Sequence, residues 1–203
     1  MIRSLISVAA ITAATWASAA DSIDWPAWRG PRADSVADGR NLPLRWSQTE
    51  NVVWSVKLPG WGTSSPVVYG KKLFITSQTQ EEGKKSLLLL CYNRDSGMEL
   101  WRHDFGMGVD QKAHEKSTLA VNTPAVTEDA VYVAYGNSDI GCYSHQGKLL
   151  WVRRYMEDFG DPKMTWGYGV SPLVVDDSVV FPWDHHKGPC YLIGLDKRTG
   201  EFA

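Results

Sequence analysis

Apolar and polar residues alternate in short runs along most of the chain, and the runs recur. The ten-residue stretches PVVYGKKLFI (66–75), PAVTEDAVYV (124–133) and PLVVDDSVVF (172–181) superimpose without a gap. Each is an apolar run, a short polar turn and a second apolar run rich in β-branched and aromatic residues, the pattern of a β-hairpin. A Ser-Pro or Thr-Pro step precedes each one, at Ser65-Pro66, Thr123-Pro124 and Ser171-Pro172. Proline cannot donate to a ladder and suits the first residue of a strand. A third apolar segment follows, LLLLCYN, DIGCYS and PCYLIGLD in turn, then a turn ending at Gly97, Gly147 or Gly200. The pattern predicts a fourth strand after that turn, in MELWRHDF from Met98 and KLLWVRRY from Lys148. Of the third copy only Glu201, Phe202 and Ala203 are present.

Trp54, Trp101 and Trp151 mark the repeat at intervals of about fifty residues. Four short antiparallel strands per repeat of this length predict an all-β fold, a β-propeller of four-stranded antiparallel blades. A parallel β-helix has much shorter coils, and a β-sandwich gives no reason for a recurring Trp. A blade cannot bury both faces alone, so the tryptophans are expected to wedge between neighbouring blades rather than stack on a substrate. The same alignment accounts for two apparent chemical signals. The carboxylate pairs Glu128-Asp129 and Asp176-Asp177 stand where Gly70-Lys71 stands in the first copy, which makes them turn residues and not an acid/base pair. Cys91 and Cys142 share one place in the repeat, held by Gly194 in the third copy, which reads as a small buried position.

Composition adds less. With 43% hydrophobic residues the chain can build a sizeable core, and a net charge of −2 lacks the basic excess that a nucleic-acid partner requires. Residues 1–20 carry one basic residue, Arg3, the apolar run LISVAAITAATWA and an A-S-A triplet, the layout of a secretory signal peptide. The mature chain is expected to start near Ala20 or Asp21 and to be secreted or periplasmic, with no membrane span after cleavage. Three cysteines cannot all pair within one chain, so no disulfide framework is expected. The expected division is residues 1–20 as leader, 21–50 as an N-terminal extension, and 51–203 as part of a propeller.

The strand-turn pattern in YNRDSGMELW, YSHQGKLLW and LDKRTGEFA resembles the tryptophan-docking repeat of the pyrroloquinoline quinone (PQQ) quinoprotein alcohol dehydrogenase-like propellers. DWPAWRGP at 24–31, NVVWSVKLPGWGTSSPVV at 51–68 and HEKSTLAVNTPAV at 114–126 resemble stretches of secreted PQQ-like repeat proteins. The resemblance implies a ring of about eight blades. It also implies a closing strand at 51–58 that completes the last blade and further blades beyond Ala203, where the spacing of Trp54, Trp101 and Trp151 leads one to expect the next Trp. In the dehydrogenases of that family PQQ lies beneath a vicinal cysteine pair and beside a calcium or lanthanide ion. This chain has no Cys-Cys pair, so no catalytic residue is carried over, and PQQ enters by family resemblance alone.

Several residues are candidates for ligand contact. GWGTSSP at 60–66 and WGYGVSP at 166–172 both lead into the first strand of a blade, and Trp61 and Trp166 are placed to line the mouth of the central channel. His114 and Lys116 lie in the long connection between the first and second blades, where function concentrates. His185 and His186 are weak metal candidates, because adjacent residues on an extended chain point to opposite faces. The expectation is no metal and no catalytic residue in this chain. Two function classes follow: a non-catalytic exported binding scaffold with a protein or small-molecule ligand, and the N-terminal part of a PQQ-dependent alcohol or sugar dehydrogenase.

Overall fold

The computed structural model describes residues 24–39, 42–107, 113–164 and 167–203. Residues 1–20, the expected leader, and Trp166 lie outside these residues. Three antiparallel sheets follow one another along the chain. The first is β1 (Val67–Tyr69), β2 (Lys72–Glu81), β3 (Lys84–Asn93) and β4 (Glu99–Met107), paired in chain order. The second is β5 (Ala125–Val126), β6 (Val131–Ala134), β7 (Asp139–Tyr143) and β8 (Leu149–Arg154), in the same order. The third has β9 (Leu173–Val175), β10 (Ser178–Trp183) and β11 (Tyr191–Asp196), with Phe202 bridged to Leu195 where a fourth strand would begin. Each hairpin read from the sequence is present, turning at residues 70–71, 127–130 and 176–177.

Strand alternation gives every sheet two faces, and the faces alternate in what they meet. Phe74, Leu87, Leu89 and Cys91 of the first sheet pack against Val131, Val133, Tyr135 and Tyr143 of the second. Tyr132, Ala134, Cys142 and Trp151, on the opposite face of the second sheet, pack against Val179, Phe181, Trp183, Ile193 and Leu195 of the third. The remaining face of the first sheet, with Leu88, Leu90 and Tyr92, is covered in part by Leu58. Burial in these seams pushes the Cys91 and Cys142 thiols up to about 12, as inert core groups.

The repeated Trp and Gly are one device. A glycine with positive φ closes the turn between the third and fourth strands, at Gly97 (φ 71°), Gly147 (84°) and Gly200 (75°). Above each lies the indole of the preceding repeat. A Cβ on Gly97 would stand 2.6 Å from the Trp54 ring, one on Gly147 2.8 Å from Trp101, and one on Gly200 2.7 Å from Trp151. Each indole N–H then donates to a turn carbonyl, Trp54 to Arg94 (2.8 Å), Trp101 to His145 (3.1 Å) and Trp151 to Lys197 (3.0 Å). Only glycine meets both the left-handed backbone and the flat ring. Residues 51–58 enter this scheme through Trp54, although they form no ladder with the described strands.

Two features were not expected. A short helix, α1 (Tyr155–Phe159), follows β8, its Tyr155 ring centroid 5.7 Å from Phe181 and 5.8 Å from Trp183. The β2–β3 hairpin is also much longer than its counterparts and projects past the second sheet's β6–β7 turn.

Candidate functional site

The sheets converge where β1 approaches β5, which places the first strand of each nearest the common axis. One end of the axis carries the 70–71 and 127–130 turns. The other carries the starts of the first strands and the long connections between blades, and Trp61, His114 and Lys116 lie on these connections.

A chain of hydrogen bonds runs around that second end. Trp61 is held by both backbone groups, its N–H donating to Gln78 O (3.0 Å) and its O accepting from Gln78 N–H (2.9 Å). The Gln78 side chain, itself buried, accepts from Leu119 N–H (2.8 Å). Leu119 O accepts from Gly136 N–H (2.7 Å), and Gly136 O from Tyr168 N–H (3.0 Å), so the belt reaches all three blades. The Trp61 side chain is left 50% exposed on this fixed backbone. His114 and Lys116 share a tight turn on the connection leading into Leu119: His114 Nδ1 accepts from Lys116 N–H (3.2 Å), and His114 O from Ser117 N–H (2.8 Å).

A second set of bonds lies one step further along each chain, and it gives the Ser-Pro and Thr-Pro steps a role beyond proline. Ser65 N–H donates to Thr123 Oγ1 (3.0 Å), and Thr123 N–H to Ser171 Oγ (3.0 Å). The hydroxyl of each blade thus receives the amide of the blade before it. Thr76 Oγ1 donates to Asn122 O (3.2 Å), and Asn122 Nδ2 to Val170 O. Gln78 and Asn122 were missed in the sequence; the recurring hydroxyl before proline was the available signal for this layer.

His185 and His186 sit in the loop after β10. His185 Nδ1 accepts from Lys187 N–H (3.0 Å), and His186 N–H donates to Pro162 O (3.1 Å). Among the described residues no group of three His, Cys, Asp or Glu is placed to hold a metal. A further polar cluster that the sequence did not flag stands where β7 begins. Asp139 accepts from Asn137 Nδ2 (2.9 Å) and lies 3.9 Å from Arg154 Nε across the β7–β8 ladder. Burial raises its carboxyl to about 6 despite the Asn137 hydrogen bond and the Arg154 charge, with Glu157 adding to the rise. Near Trp61, on the face of the first blade turned away from the second, a groove of about 730 Å³ runs between Pro59, Glu81, Lys84, Leu88, Arg102 and Asp104. Its walls carry both signs of charge, which suits a polar, dipolar ligand better than a simple anion.

These sheets, repeats and docked tryptophans define blades of a β-propeller. Residues 84–203 match the sequence family described as outer membrane protein assembly factor BamB, a family of PQQ-like repeats, and the chain belongs to that family. No curated protein matches it significantly. Among solved structures it is similar to quinohemoprotein alcohol dehydrogenase from Comamonas testosteroni, with a TM-score of 0.64 at 18% identity over 92% of this chain and 27% of that one. A quinohemoprotein alcohol dehydrogenase from Pseudomonas putida HK5 gives 0.52 at 19% identity over 73% of this chain and 21% of that one. BamB from Moraxella catarrhalis gives 0.49 at 15% identity over 75% and 42%. The chain therefore spans about a quarter of the length of the two dehydrogenases. Identities this low establish the fold and nothing about activity.

PQQ is the cofactor that the fold family suggests, and it comes to this chain by family resemblance alone. It is a planar quinone carrying three carboxylates, and holding it requires donors and cations facing the axis. The hydroxyls and amides at the starts of the blades are spent on one another. Among the buried polar atoms left without a partner, Asn122 Oδ1 is an acceptor, and the Tyr135, Ser138 and Tyr168 hydroxyls can donate. No helix among the described residues is long and apolar enough to cross a membrane.

Proposed function

We propose that this chain is a secreted or periplasmic PQQ-like propeller protein that acts as a non-catalytic binding scaffold, with a protein ligand at the end bearing the inter-blade connections. Residues 1–20 serve as the export signal, 21–50 as an extension, and 51–203 as blades. The observation that carries the reading is Trp61, a half-exposed indole whose backbone is fixed by two hydrogen bonds to Gln78. A large amphipathic ring presented on a rigid backbone binds with little loss of conformational freedom, which is why such residues anchor interfaces. The bipolar groove beside it, and His114 and Lys116 on the neighbouring connection, supply polar contacts around that anchor. Trp166, outside the described residues, is a candidate contact from the sequence alone.

The test uses a photo-crosslinking residue in place of Trp61 in the full chain, expressed in an exporting cell. A discrete protein adduct is expected there, and none from the same group at Lys71 on the opposite end. Alcohol-dependent dye reduction by the purified chain with PQQ and calcium would overturn the scaffold reading in favour of a quinoprotein dehydrogenase.

A further inference from the structure

The segment ahead of the first blade does more than lead into it. Trp25 lies antiparallel to Val68, on the free, axis-facing edge of β1. Trp25 N–H donates to Val68 O (2.8 Å) and Val68 N–H to Trp25 O (2.9 Å). The residues on either side extend the hold. Asp24 Oδ1 accepts from Gly70 N–H (2.8 Å) in the β1–β2 turn, and Pro26 O accepts from Val126 N–H (2.8 Å) in β5 of the second blade. Ala27 packs on the cluster shared by the second and third blades. The chain then turns back, Gly30 N–H donating to Ala27 O (2.9 Å), and Gly30 lies so close under Trp25 that a Cβ there would stand 2.8 Å from the ring.

Four consecutive residues thus bond to the inner strands of the first two blades and pack on the seam between the second and third, and they do so at one end. The Gly70 turn and the Trp61 bridge to Gln78 stand at opposite ends of β2, about 20 Å apart along an extended strand. The inner edge of β1 would otherwise present unpaired N–H and C=O groups to the axis. Proline at position 26 fits a segment that crosses from one blade to the next, because it offers a carbonyl to β5 and has no amide to leave unpaired.

We propose that Asp24–Ala27 is a strap that closes the turn end of the propeller axis, so that a ligand reaching the axis enters from the Trp61 end. The consequence for binding rests on the scaffold reading above; the strap itself does not. Amide hydrogen exchange on the full chain tests it. The amides of Val68, Gly70 and Val126 are expected to be protected like the β2–β3 ladder. Trp25→Pro, which removes the donor to Val68 O, and Asp24→Ala are expected to speed their exchange at least tenfold, leaving Ser65 and Thr123 at the other end unchanged. A cysteine placed at Val68 is expected to react with a bulky maleimide at least tenfold faster in the Trp25→Pro background. Loop-like exchange of Val68, Gly70 and Val126 in the unaltered chain overturns the strap whatever the variants do. So does a loss of protection spread over both ends, which would make the segment a core element. Failure to find an adduct at position 61 would remove the ligand and leave these rates as predicted.

Discussion

A largely buried carboxyl and a part-buried glycine carry the sharpest consequences of single residues. Asp139 has a side chain only 14% exposed and a carboxyl raised from 3.8 to about 6 by burial. The folded state holds its proton more tightly than the unfolded one, so this contribution to stability is full below about 4 and is lost as pH rises through about 6. A shift of about two units corresponds to roughly 3 kcal/mol. Urea denaturation of the wild type is therefore expected to show a decline between pH 4 and 7 that Asp139→Asn lacks; parallel curves for the two proteins would show that the group is solvated. At Gly147 the backbone is left-handed and the Trp101 ring lies where a Cβ would go. Gly147→Ala is expected to cost at least about 2 kcal/mol, lowering the melting temperature by about 4–8 °C, whereas Gly83→Ala, with open space around it, costs only the backbone strain. The sequence announced the Trp and the Gly as period markers. It did not announce Asp139, because a carboxylate at a strand start reads as a solvated turn residue until the packing of α1 and β8 around it is known.

Hairpins, their turns and the order of strands within each blade were legible because alternation and Ser-Pro steps are local signals. Connections were not, since their conformation is set by partners far away in sequence. Leu119 is placed by Gln78, and Thr123 by Ser65 and Ser171. The same holds for residues 51–58, where the Trp behaves as the repeat requires while the expected strand has no ladder among the described residues. α1 was missed because five residues are too few to show a helical period. The hydroxyl relay gives a direct test at this scale. Thr123→Val keeps the β-branched shape and removes the acceptor for Ser65 N–H, leaving a part-buried amide unsatisfied at about 1–3 kcal/mol. Thr123→Ser restores the oxygen and is expected to recover most of the loss in thermal unfolding; equal stability of the Val and Ser variants would show that the relay contributes nothing.

Faces that are equivalent by repeat differ sharply in exposure across the molecule, and the difference predicts how the chain behaves in solution. Val67, Ala125 and Leu173 occupy the same place in the first strands of the three blades, at 0%, 2% and 54% exposure. Leu89 and Ile140 are fully buried, while Leu192, their counterpart in β11, is 76% exposed. The first two blades cover these positions with the next blade; the third has Leu173, Val175 and Leu192 facing outward on one sheet. An apolar face of that kind drives association. The corresponding rear face of the first blade is already occupied around Leu58 and is polar along its groove, so it offers no match for a head-to-tail chain of copies. Two copies meeting through their third blades bury the same patch on both sides, which gives a closed dimer and not a filament. Sedimentation velocity of the 203-residue chain at micromolar concentration is accordingly expected to show a dimer, converted to monomer by Leu173→Lys with Leu192→Lys and unaffected by Leu44→Lys in the extension. A sharp monomer peak for the unaltered chain would mean that the third blade has repacked to hide its own face, and far-ultraviolet circular dichroism with amide exchange across β9 to β11 would locate the change.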